Sequence, residues 1–142
     1  MGRIAALDYG TVRIGLAMSD ERKIIAQPIA CLQTKKTHKQ TAEMIKLELA
    51  KFSTIECVLL GLPLHFSGKE SPMSLEVRKF AQILECTLNL PIVLCDERLT
   101  TAFTERALIE GNVRREKRKS LIDALSATVV LQTYLDKRSN TP

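Results

Sequence analysis

Ile4-Ala5-Ala6-Leu7-Asp8-Tyr9-Gly10-Thr11-Val12-Arg13-Ile14-Gly15-Leu16-Ala17 is the stretch on which the reading of the fold turns. Its first four residues are apolar without alternation, the pattern of a short strand covered on both faces and therefore central in its sheet. Asp8 closes that run, residues 9–12 form a Gly-containing connection of hairpin length, and residues 13–19 alternate as an antiparallel partner strand would. An acid where a central strand meets a tight turn stands at the carboxyl edge of a sheet, where open α/β sheets bind ligands. An Asp in such a place also serves simply to bond the amides of the turn, so the remaining chain has to decide.

Outward from this hairpin, residues 24–32 read as a third strand, kept to an edge by Pro28, which has no N–H to give a ladder. Thr37 and Gln40 have capping-box spacing, and Ala42, Ile45, Leu49 and Phe52 recur at helical intervals, which predicts a helix over 38–52. A second short apolar run, 55–60, is stopped by Gly61-Leu62-Pro63. Ser71-Pro72 then starts a helix whose buried stripe is Val77, Phe80, Ala81, Leu84 and Leu88. Residues 92–95 make a third buried strand that delivers Asp96-Glu97-Arg98. Thr100 or Thr101 caps a further helix that Gly111-Asn112 ends, and a basic loop leads to a last helix over 121–136. Strands that alternate with helices imply parallel crossovers around the first strand. The expected architecture is α/β: a mixed five-stranded sheet, a three-strand antiparallel meander plus two parallel strands, flanked by helices. It brings Asp8, Gly61 and Glu97 to one sheet edge.

At 142 residues and 45% hydrophobic content the chain suits one core, and residues 1–138 are expected to form a single domain with a short tail over 139–142. A net charge of +5 permits an anionic partner. The four cysteines, at 31, 57, 86 and 95, lie in apolar segments without a C-x-x-C pair, as buried thiols of a reducing compartment do. With no signal core and no apolar run long enough to span a membrane, the expectation is a cytoplasmic protein without a membrane partner.

Asp123 sits on a helical stripe with Ala127, Val130 and Tyr134, which leans it toward the packed side. Ser120-x-x-Asp123 also has capping-box spacing, so a cap and a functional acid both fit. If the topology brings Asp8, Glu97 and Asp123 together, three carboxylates repel unless cations hold them, and clustered oxygen ligands select Mg²⁺ or Mn²⁺. Two such ions can activate a water and stabilise the leaving oxygen in phosphodiester cleavage. Arg13 and Arg98 stand near the acids, suited either to phosphate oxygens or to pairing with a neighbouring carboxylate. Arg114, Arg115, Lys117, Arg118 and Lys119 put five cations in six positions, a solvated face or a nucleic-acid clamp. His38 and His65 need no special role. With four Phe, two Tyr and no Trp, contact with the nucleic-acid backbone is favoured over base stacking.

Four pieces of the chain, in order, resemble the YqgF family, a set of proposed pre-16S rRNA nucleases and proposed Holliday junction resolvases in the ribonuclease H-like superfamily. They are Leu7-Asp8-Tyr9-Gly10 with Arg13-Ile14-Gly15 and Ser19-Asp20; Gly61-Leu62-Pro63 with Gly68; Asp96-Glu97-Arg98-Leu99-Thr100-Thr101; and Asp123-Ala124 with Leu131-Gln132 and Tyr134-Leu135. His65-Phe66 departs from the more polar pair expected in that loop. The resemblance implies a ribonuclease H-like fold with Asp8, Glu97 and Asp123 as metal-binding catalytic acids. It implies a metal-dependent endonuclease on structured nucleic acid, processing the 5′ end of precursor 16S rRNA or, alternatively, cutting a branched DNA junction. Two readings from other classes stand beside it: a non-catalytic RNA-binding module, and a sugar-kinase-like phosphotransferase, whose first phosphate loop Asp8-Tyr9-Gly10-Thr11 resembles but whose cleft needs two such domains. Monomer and homodimer are both open.

Overall fold

A computed structural model describes residues 2–63, 67–96 and 115–139, with the helix backbone alone over 115–123 and at 139. Five strands form one sheet: β1 (Arg3–Tyr9), β2 (Arg13–Ser19), β3 (Ala26–Gln33), β4 (Ile55–Leu62) and β5 (Ile92–Asp96). Three helices are described: α1 (His38–Leu49), α2 (Pro72–Leu88) and α3 (Arg115–Ser139). The sheet order is β3-β2-β1-β4-β5, so the opening apolar run is the middle strand as expected. β1 pairs antiparallel with β2 and parallel with β4, and β4 parallel with β5. The mixed meander-plus-parallel sheet is the one expected from the element order.

Alternation along β1 splits the core into two layers. Ala5 and Leu7 face α1 and α2, packed with Ile14, Leu16, Val58, Leu60, Val77, Phe80 and Leu84. Ile4 and Ala6 face α3, packed with Ala17, Leu59, Ala127, Leu131 and Leu135. The helix starts follow their local signals. Thr37 caps α1 by accepting the Gln40 amide at 3.1 Å, and Ser71 and Ser74 form a reciprocal capping box at α2. Asn89, at φ 54°, ends α2 in the left-handed region two residues before Pro91. Pro28 lies in the edge strand, and the register shifts opposite it, between Leu16 and Ala17.

Several boundaries differ from the sequence reading. Asp8 and Tyr9 belong to β1 because β2 continues to pair with them, Asp8↔Gly15 and Tyr9↔Ile14. β4 runs through Gly61 to Leu62, because β5 pairs with both. β3 begins at Ala26, since residues 20–25 form a turn in which the Asp20 carboxylate accepts the Ile24 and Ile25 amides, at 2.8 and 3.0 Å. The largest change is in α3: residues 115–119, expected as a basic loop, are its first turns, and Ser120 stands inside the helix rather than at its cap. Cys86 is exposed and the other cysteines are partly buried, so burial does not account for all four thiols. The helix expected from Thr100 or Thr101 to Gly111 lies outside the described residues. Among the described residues no helix is long and apolar enough to cross a membrane.

One amide ties α3 to the start of the edge strand. Gln132 accepts the Ala26 N–H and donates to the Ile24 carbonyl, both at 2.9 Å, closing the backbone groups of the edge strand across more than a hundred residues of sequence. Leu131, fully buried beside it, should show how far α3 depends on apolar packing. Leu131→Ala is expected to cost about 2–5 kcal/mol in chemical denaturation. A loss below about 1 kcal/mol would mean that α3 is only loosely docked.

Candidate active site

The parallel strands set the rows of the sheet's carboxyl edge. Leu7, Leu60 and Leu94 share one row; one residue further along their strands come Asp8 on β1 and the Gly61–Cys95 pair of β4 and β5, and then Tyr9 and the Leu62–Asp96 pair. Asp8 pairs with Gly15 on β2, and on β4 Gly61 follows Leu60, the partner of Leu7. Neither glycine carries a side chain, and this gives Arg13-Ile14-Gly15 and Gly61-Leu62-Pro63 a physical meaning at this edge that spacing alone did not carry. Gly10 is required for a different reason: a Cβ there would come within 2.6 Å of the Arg13 carbonyl oxygen, which accepts the Gly10 N–H in the tight β1–β2 turn.

Parity places Asp8 on the same face as Ile4 and Ala6, the face that α3 covers. The direction of α3 follows from its far end. Gln132 meets the start of β3, and Arg138 acts on Glu56 and Cys57 at the start of β4. The helix therefore runs opposite to β1, with its amino end toward the carboxyl edge. Leu135, Leu131 and Ala127 form an i, i+4 series over Ile4 and Ala6, and position 123 is the next member. It lies about 6 Å further along the helix axis, as Asp8 lies about 6.6 Å beyond Ala6 along β1. Positions 119 and 115 continue the series past the sheet edge.

Of the expected site residues, Asp8 is half-buried at the edge, and Arg13 opens β2 beside it, also half-buried. Position 123 is brought to the same face and the same end by the course of α3. Arg115, Lys117, Arg118 and Lys119 lie on the turns of α3 that precede it. Glu97, Arg98 and Arg114 lie outside the described residues; β5 ends at Asp96, immediately before Glu97, one row beyond Asp8. Among the described residues no three His, Cys, Asp or Glu side chains gather as a metal site. The donor chemistry of the expected set, carboxylate oxygens, is nonetheless that of a hard divalent cation.

The sequence reading missed the other face of this edge. Tyr9 turns away from α3 and meets His38 of α1 and Phe80 of α2. Burial, and then the Glu76 charge, push its phenol above the ordinary tyrosine value. Other family-motif residues prove structural. Ser19, fully buried, accepts the Ile4 amide at 2.9 Å, and Gln132 locks the edge strand.

The profile of the family described as RuvX, Holliday junction resolvase, matches residues 2–137. A relative from Protochlamydia amoebophila (strain UWE25), named "Putative pre-16S rRNA nuclease", is 43% identical over 141 residues, covering 96% of this chain and 94% of the relative. One of the same name from Bacillus subtilis (strain 168) is 41% identical over 134 residues, covering 94% and 97%. Among solved structures, T. thermophilus RuvC in complex with a Holliday junction substrate superposes with a TM-score of 0.57 at 15% identity, covering 99% of this chain and 98% of that one. The fowlpox virus Holliday junction resolvase does so with 0.58 at 14%, covering 95% and 99%. The fold is the ribonuclease H-like fold of these resolvases.

Proposed function

The chain belongs to the RuvX family of Holliday junction resolvases, and from that membership we propose that it is a metal-dependent endonuclease cleaving phosphodiester bonds in structured nucleic acid, with precursor 16S rRNA as its substrate. The observation that carries the nuclease reading is the near-full-length identity to relatives bearing that name. Support from the chain itself is the place of Asp8 opposite Gly15 at the sheet edge toward which the Asp123 stripe runs. Branched DNA is the second reading, favoured by the description of the family. Work on ribosomal RNA precursor would place the protein in the cytoplasm.

In this reading Asp8, Glu97 and Asp123 hold Mg²⁺ or Mn²⁺, two ions for the three acids. The bound metal supplies an activated water and stabilisation of the charge on the leaving oxygen. The acids do their part by being fixed before the substrate arrives, Asp8 by the central strand and Asp123 by a helix packed on the sheet through Ala127, Leu131 and Leu135, so that little reorganisation accompanies the reaction. Arg13 and Arg98 orient the scissile phosphate through guanidinium hydrogen bonds. Cleavage of labelled precursor rRNA and of a synthetic four-way junction, run in parallel with Mg²⁺, Mn²⁺ and chelator, tests both substrates. Metal-dependent cutting of the rRNA precursor is expected. Cutting of the junction alone would move the assignment to DNA, and cutting of both under chelator would remove the metal.

The basic turns of α3 are the proposed backbone clamp. Neutralising Arg114, Arg115, Lys117, Arg118 and Lys119 should weaken binding and flatten its salt dependence by roughly 0.7 to 0.9 in log–log slope for each phosphate that is no longer neutralised. Positions 115 and 119 share the Asp123 series, whereas 117 stands on the opposite side of the helix. Arg115→Gln with Lys119→Gln should therefore flatten the slope more than Lys117→Gln does. An equal effect of all three, or none, would leave the run as a solvated face.

A further inference from the structure

At the end of β1, Asp8 pairs with Gly15 and Tyr9 with Ile14 across β2. A cluster drawn from two helices packs on Tyr9. The Tyr9 ring lies 4.8 Å from that of Phe80 and edge-on to His38 at 6.1 Å, and His38 is edge-on to Phe80 at 5.5 Å. The Tyr9 hydroxyl is 3.3 Å from Nε2 of His38, and the same nitrogen is 2.7 Å from Oε1 of Glu76. A carboxylate can only accept, so Nε2 carries its hydrogen and donates it to Glu76, with the Tyr9 oxygen as the second, longer contact of that N–H. His38 is the first residue of α1 and Glu76 lies near the start of α2, so three elements meet at the residue next to Asp8.

We propose that Tyr9, His38 and Glu76 form a positioning clasp for Asp8. Glu76 orients the His38 ring, His38 and Phe80 hold Tyr9, and Tyr9 fixes the end of β1 whose Asp8 carboxylate stands on the opposite face. None of the three touches the reacting atoms; they are positioning residues, and the proposal rests on Asp8 being a metal ligand. Outer-shell partners that fix a ligand's orientation are typically worth 10–100-fold in metal affinity.

The test uses the full metal-free chain and Mn²⁺ titrated by calorimetry, with cleavage kinetics alongside. His38→Phe keeps an aromatic ring against Phe80 and removes the N–H; His38→Gln keeps a donor. His38→Phe is expected to melt within a few degrees of the parent, to bind Mn²⁺ about tenfold more weakly, and to lower kcat with little change in KM for nucleic acid. His38→Gln should recover most of both losses. Parent-like Mn²⁺ affinity and kcat in His38→Phe would overturn the proposal. So would a loss that tracks a lowered melting temperature and is not recovered by His38→Gln, because packing alone would then explain it. Undiminished Mn²⁺ binding by Asp8→Asn would remove the reading beneath the proposal and the proposal with it, and the His38 variants cannot mimic that result.

Discussion

Asp8→Asn is expected to abolish metal-dependent cleavage, by a factor on the order of 10³ to 10⁴ in kcat, the scale on which an essential charged catalytic residue acts. The fold should survive, because Asn has nearly the same shape and the strand is paired at this residue through Gly15. If Asp8, Glu97 and Asp123 converge as proposed, removing one carboxylate also relieves repulsion in the metal-free protein. Its melting temperature should therefore hold or rise while activity disappears. That opposition separates a functional acid from one that bonds a turn, whose loss would lower stability and spare catalysis. Melting and cleavage measured on one preparation decide it, and full cleavage in the variant would take Asp8 out of the metal site.

Asp123→Asn should show the second large effect, through metal binding rather than folding. The capping alternative weakens once α3 is seen to begin at Arg115, since position 123 then lies two turns inside the helix. Asn at an interior position costs the metal-free protein little. In the parent, Mn²⁺ at a hundred times its Kd should add about 2.7 kcal/mol of stability, on the order of 5–10 °C in melting temperature for a chain of this size. The variant should lose most of that increment, and its cleavage should fall by orders of magnitude. An undiminished Mn²⁺ shift together with near-parent cleavage would leave Asp123 without a role in the metal site.

The central part of this fold was legible because its signals are local. Residues 4–7 have no polar alternation and do form the middle strand, and Pro28 does mark an edge. Thr37 and Ser71 cap the helices they were expected to cap. The errors arose where extent is decided by a partner rather than by the segment itself. Gly61 reads as a breaker, yet the β5 ladder carries β4 through it. Residues 115–119 lack apolar periodicity, but Arg, Lys and Glu are good helix formers, and the buried stripe further along holds the same helix straight through them. The Ser120–Asp123 capping pattern lies inside a longer helix.

The site divides in the same way. Asp8 and Asp123 could be assigned to one edge from topology and helical spacing, because both follow from repeats of two and of about 3.6 residues. The glycine opposite Asp8 could not, since it depends on register: Gly15 becomes its partner only when β1 and β2 are aligned. His38 carried no signal at all. It lies 29 residues from Tyr9 in the chain, and only the packing of α1 and α2 on one face of the sheet brings them together.

The most direct measurement of the central claim is anomalous diffraction from a crystal of the parent protein grown with Mn²⁺. Density for bound Mn²⁺ should lie about 2.1 Å from carboxylate oxygens of Asp8, Glu97 and Asp123, at the edge where Asp8 pairs with Gly15. A fully occupied Mn²⁺ elsewhere on the chain, with none in contact with Asp8, would contradict it.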